Sequence, residues 1–202
     1  MKILALELST ARGSLAWLDA NVELAQEWAN DRKNSGAFFE NLDHVTKQFG
    51  APEAIVVGLG PGSYAGTRIA ISAAIGLQVS SGARLIGVPS ICAMEIAQYC
   101  VIGDARRKTF FFARIRANGL VEGPTLFTKE ELKNKLATFE ADIPILCPES
   151  LPQFPNAVIR YPSAHVLARL AQAPQRSFSL PPLEPIYLRE PHTTMPKVPS
   201  SK

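Results

Sequence analysis

Apolar runs of strand length alternate with helical spacings along the first half of the chain. Residues 3–6 are continuously apolar, as expected of a central strand covered on both faces, and Glu7, Ser9 and Thr10 stand where it emerges. Arg12 and Gly13 read as a turn, residues 14–18 as a second strand, 19–21 as another turn and 22–28 as a third strand, which predicts an antiparallel start. Ser35 heads a helix in which Phe38, Leu42, Val45 and Phe49 recur at spacings of four, three and four, closed by Gly50 and Pro52. A buried strand, Ala54–Gly58, is followed by a helix from Tyr64 to Ser81 and a further strand, Arg84–Val88. Ser90 then reads as the cap of a helix to about residue 99, rich in Ile91, Met94 and Ile96.

The stretch GLGPGSYAGTRIA, residues 58–70, organises this half. Gly60, Pro61 and Gly62 break the strand, and Ser63 is a good N-cap because its hydroxyl accepts from first-turn amides. Bare glycine backbone at a helix N-terminus lets an anion, or another stretch of backbone, approach closely. The spacing is neither GxxxxGK[ST] nor a GxGxxG on the first strand, so neither nucleotide-loop signature is present.

The following helix has no charged residue between Arg68 and Arg84, which predicts cover all round. Ser72, Gln78, Ser80 and Ser81 leave it too polar, and its length too short, to span a bilayer. Gly66, Ala70, Ala73 and Ala74 form a strip of small residues, and Ile71, Ile75 and Val79 a bulkier one. One strip can face the sheet, and the other then needs a second helix or another protein. Tyr64 and Arg68, with Phe39 off the stripe of the preceding helix, complete the expected partner surface.

A second unit is expected from about residue 101. Thr109–Arg116 is a strand, Asn118-Gly119 a hairpin turn, and Thr128 with Glu131 a capping box for a helix to about residue 139. Asp104, Arg106, Arg107 and Lys108 make a charge cluster suited to a solvated loop or to contact with an acidic ligand. From Leu151 the chain is proline-rich, with one short helix headed by Ser163 and carrying Val166, Leu167 and Leu170. No internal repeat is visible. Residues 191–202 have almost nothing to bury and are expected to be a disordered tail.

At 202 residues and a formal charge of +3 the chain suits one or two small domains. The last 52 residues carry six basic and two acidic side chains, so the body is close to neutral, which argues against gripping a nucleic-acid backbone unaided. Cys92, Cys100 and Cys147 are odd in number and lie in no CxxC, as expected of thiols in a reducing, cytoplasmic compartment. His44, His165 and His192 are scattered, with no metal-ligand spacing and no HExxH.

The element order of three strands, helix, strand, helix, strand, helix is that of ribonuclease-H-like domains, shared by actin, sugar kinases and heat-shock ATPases. ILALELST, GLGPGSYAGTRIAIS, GVPSICAME, DARRKTFFFARI and PIYLRE resemble, in that order, the TsaB family over residues 1–190. The resemblance implies an α/β, actin-like ATPase fold of two small βαβ-type domains with mixed sheets. Residues 1–100 would be a ribonuclease-H-like domain carrying the partner-facing helices, and residues 101–190 a reduced second domain. It also implies a non-catalytic subunit that pairs through first-domain helices with a TsaD-like subunit, the enzyme that makes threonylcarbamoyladenosine in transfer RNA. A TsaE-like ATPase is a further implied partner, and a homodimer is implied when the chain is alone. Transfer RNA would be reached only through the complex, with no membrane, no cofactor of its own, and ATP and metal acting at the partner. The chain departs from the family at Glu7, where an aspartate-containing phrase is usual, and at Asn34, Ser35 and Gly36, where an HSE-like phrase is usual. The alternative is a small actin-like nucleotide-binding enzyme, a kinase or ATPase. It needs a phosphate hairpin after the first strand and a second glycine-rich loop, and only Arg12-Gly13 answers the first.

Overall fold

A computed structural model describes residues 1–30, 35–140, 142–173 and 178–189. The expected tail at 191–202 and Asn34 lie outside the described residues. The elements are β1 (Ile3–Glu7), β2 (Arg12–Leu18), β3 (Glu23–Ala29), α1 (Gly36–Phe49), β4 (Ala54–Gly58), α2 (Tyr64–Ser81) and β5 (Arg84–Val88). A short 3-10 turn, Ser90–Cys92, leads to β6 (Gln98–Asp104), β7 (Thr109–Arg116), β8 (Gly119–Thr128), α3 (Lys129–Leu136), β9 (Ile145–Cys147), β10 (Val158–Ile159) and α4 (Ala164–Gln172).

The first sheet runs β3-β2-β1-β4-β5, with β1–β2 and β2–β3 antiparallel and β1–β4 and β4–β5 parallel. The second runs β8-β7-β6-β9-β10 with the same senses in the same places. The chain is therefore an internal repeat of the ribonuclease-H-like order, twice over, as in the actin-like ATPase fold. The two-domain fold implied by the family resemblance is present, whereas the residues themselves show no repeat, because strand pairing rather than residue identity carries it. α3 takes the place of α1 in the second copy, and no helix joins β9 to β10, which shortens that half.

Three apolar layers hold the halves together. Leu4, Leu6, Leu15, Trp17, Ile55 and Val57 point from the first sheet toward α1 and α2. Alternate residues of the same strands, Ile3, Ala5, Ala16 and Val56, point the other way and meet Tyr99, Val101, Phe111 and Ala113 of the second sheet. Cys100, Ile102, Phe110 and Phe112 face outward to α3 and Leu132. α4 follows the second sheet in sequence yet packs on β1, β2 and β4 of the first, burying Leu167, Ala168 and Ala171 there.

Local signals behave unevenly. The Thr128–Glu131 capping box forms in full. Ser35 and Ser163 take the N-cap position without a side-chain capping bond. The first turn lies at residues 9–11, so Arg12 and Gly13 already belong to β2. The second hairpin turns on Ala117 and Asn118, both at positive φ, one residue earlier than Asn118-Gly119. The helix expected from Ser90 shrinks to one 3-10 turn, because Ile91, Cys92, Ala93 and Met94 are all buried in the layer between the sheets. Residues 98–104 pair instead as the central strand of the second sheet.

Candidate functional site

The glycine turn packs against the end of β1. Gly60 stands at φ +89°, its amide donating to Ser90 Oγ at 2.9 Å, and Pro61 follows in a cis peptide. Ser63 donates its amide to the Ser9 carbonyl at 2.6 Å and accepts the Gly66 amide on its hydroxyl at 3.3 Å, the N-cap bond expected of it. A Cβ on Gly62 would collide with the Ser9 carbonyl, and one on Gly66 with the Leu8 carbonyl. The bare glycine backbone thus admits another backbone, that of residues 8 and 9.

Glu7 lies beside this junction but faces neither solvent nor cleft. It is fully buried, Oε1 accepts the Ser9 amide at 2.6 Å, and Oε2 has no hydrogen-bond partner. Burial pushes its carboxyl above the usual carboxylate range, and the Ser9 and Ser90 side chains and the Ser9 amide offset this only in part. Among the described residues no three His, Cys, Asp or Glu side chains are grouped to hold a metal ion.

Above the turn a cleft of about 790 Å³ opens between the two halves. The β1–β2 turn (Ser9, Thr10) and the β6–β7 turn (Asp104, Arg106, Arg107) face it from opposite sides. The latter turn holds Arg106, Arg107 and Lys108 at positive φ, with Arg106 paired to Asp104 at 2.9 Å. Residues 185–189 close a third side.

α2 has one open face. Tyr64, Arg68, Ser72, Ile75 and Val79 follow one another at three- and four-residue spacings and are exposed, Val79 to 83%. The helix is thus not covered all round. Arg68 lies over the Tyr64 ring, 5.2 Å from its centroid, and donates to the Tyr64 hydroxyl at 2.6 Å. Tyr187 stacks on Tyr64 with centroids 5.3 Å apart.

Three comparisons bear on this geometry. The family model for TsaD, tRNA N6-adenosine threonylcarbamoyltransferase, matches residues 37–128, from α1 through β8. An uncharacterized protein with similarity to the peptidase YeaZ, from Pseudomonas aeruginosa, superposes with a TM-score of 0.73 at 21% identity, over 93% of this chain and 99% of that one. YeaZ from Pseudomonas aeruginosa superposes with a TM-score of 0.67 at 19% identity, over 85% and 91%. At these identities the two structural likenesses show the fold. An uncharacterized protein of Mycobacterium leprae (strain TN) is 30% identical to this chain over 142 residues, 69% of this chain and 38% of that protein. The chain accordingly spans less than half of that relative's length.

The residues expected to face a partner divide in two. Phe39, Tyr64, Arg68 and Ile75 lie on the surface, Phe39 with its ring edge against buried Phe38. Gly66, Ala70, Ile71 and Ala74 are buried against the first sheet, and Ala73 packs partly against the same core. The small-residue strip is therefore an internal packing surface, and Ile71 and Ile75 do not share a face. Val79, read as part of the bulkier strip, is on the surface, and Tyr187 is the surface residue that the sequence reading missed. Counting seven and eleven positions from Arg68, the only charge on α2, finds Ile75 and Val79; nothing in the sequence finds Tyr187.

Proposed function

We propose that the chain is a non-catalytic scaffold subunit that pairs with a TsaD-like threonylcarbamoyltransferase in the modification of transfer RNA. Pairing uses the open face of α2 together with exposed Phe39 of α1. The observation that carries this reading is that face: an 18-residue helix whose outer side offers Tyr64, Ile75 and Val79 and a single charge. The near-neutral body and the sealed Glu7 accord with a protein that neither grips RNA alone nor presents a carboxylate to a substrate. In this reading the chain works in the cytoplasm, forms a homodimer when the partner is absent, and meets a TsaE-like ATPase only in the complex. It needs no cofactor, since ATP and metal act at the partner. No helix among the described residues is long and apolar enough to cross a membrane.

The test is co-purification with the TsaD-like protein of the source cell, together with assays of the isolated chain. The chain is expected to form a stoichiometric complex and, alone, to leave ATP and transfer RNA unchanged. A second reading, a small nucleotide-binding enzyme of the same fold, draws on the cleft with Arg107 at its rim. ATP turnover by the isolated chain that is lost in Arg107→Ala favours that reading over the scaffold.

A further inference from the structure

The last described segment, residues 178–189, is a strap that runs from one sheet to the other across the head of α2. Ser179 bridges Gly87 at the free edge of β5, with N–H to O distances of 2.8 and 3.1 Å. Leu183 is buried in the core beneath α2. The Ile186 amide donates to the Leu59 carbonyl at 2.8 Å, holding the strap on the glycine turn. Arg189 then donates through Nη2 to Thr109 Oγ1 on β7 at 2.6 Å. Tyr187 is thus held on both sides, by Ile186 and by Arg189, and its ring is laid on Tyr64, whose other contact is Arg68. Tyr64 and Tyr187 remain almost half exposed, at 49% and 42%.

We propose that Tyr187 and Arg68 form one anchor of the partner-binding surface with Tyr64, and that the partner answers it with a carboxylate flanked by apolar side chains. The inference rests on the pairing reading above and specifies its chemistry. Stacked tyrosines beneath a guanidinium are rigid and offer large contact area at small entropic loss, which is what the energetic centres of interfaces share. Arg68 is oriented by the tyrosine hydroxyl, and no ion pair to it is formed among the described residues, so its charge is free to meet a carboxylate. α2 carries no acidic residue, so two copies meeting through this helix alone supply no carboxylate to Arg68, and the charge favours a partner of different sequence. Arg189 is a positioning residue: it touches Thr109 and fixes the strap that carries Tyr187.

The experiment is titration of the full chain and four variants into the TsaD-like protein of the source cell, with circular dichroism and size-exclusion chromatography on each. Tyr187→Ala and Arg68→Glu are expected to weaken binding on the order of tenfold or more, Arg189→Ala by less, and Tyr187→Phe little because the stack survives. Arg68→Glu changes an exposed side chain and keeps the test valid if Tyr187→Ala fails to fold. Wild-type affinity in Arg68→Glu, or in folded Tyr187→Ala, overturns this inference while leaving the pairing intact. No binding by the wild-type chain overturns the pairing reading itself. If the two variants instead dissolve a homodimer and spare the mixed complex, the surface belongs to a second copy and the assignment to a different partner is wrong.

Discussion

The backbone amide of Ala164 donates to the hydroxyl of Ser14 at 2.8 Å, a buried bond between residues 150 positions apart. It fastens the first turn of α4 to β2 and so joins the end of the second half to the beginning of the first. Few side-chain bonds in the fold span such a length of chain, and both residues of this one are buried.

Ser14→Ala is accordingly expected to cost about 1–3 kcal/mol, because the Ala164 amide is left buried without an acceptor. Urea unfolding of wild type and variant checks it. An unchanged midpoint would show that α4 reseats without the bond.

Glu7 predicts a pH dependence. Its folded-state carboxyl titrates above its ordinary range, so its contribution is fully present below the unfolded carboxylate value near 4.5 and is lost as pH rises through the folded value. Glu7→Gln keeps an oxygen for the Ser9 amide and removes the charge. Thermal melts are expected to show the variant gaining on wild type from acid toward neutral pH; a gain by wild type over that interval would contradict the assignment.

The two faces of α2 predict opposite outcomes for one kind of substitution. Ala70→Arg puts a charge into a site with no exposure and is expected to cost more than about 4 kcal/mol, enough to unfold the chain. Ile75→Arg, on the open face, is expected to stay within about 0.5 kcal/mol of wild type and to lose partner binding. Circular dichroism separates the first outcome and size-exclusion chromatography with the partner the second.

Gly66 and Gly76 make a matched pair on the same helix. Gly76→Ala meets nothing within 4 Å and is expected to gain about 0.5–1 kcal/mol from the lower entropy of the unfolded chain. Gly66→Ala drives a methyl into the Leu8 carbonyl and is expected to lose about 1–3 kcal/mol despite alanine's better helix propensity. Denaturant midpoints of the two variants moving in the same direction would refute this account of the turn.

What the sequence determined by itself was local. The strand of residues 54–58, the Ser63 cap, the limits of α2, the Thr128–Glu131 capping box and the start of α4 each rest on residues within four positions of one another, and all stand in the structure. The glycines at 62 and 66 stand where another stretch of backbone comes close, and lack of a side chain is a local fact. What approached them was decided by the chain just after β1, where the Leu8 and Ser9 carbonyls lie against the turn only once β1 and β4 have paired. That pairing draws Gly66, Ala70, Ile71 and Ala74 inward and leaves Tyr64, Arg68, Ile75 and Val79 out, a choice that periodicity alone leaves open because α2 has apolar residues on every side. The second sheet, the repeat and the strap were likewise tertiary. Residues 98–104 become a strand because β7 and β9 are there to pair with them, overriding the helical reading, and Tyr187 becomes a surface residue because Leu59 and Thr109 hold the segment on either side of it.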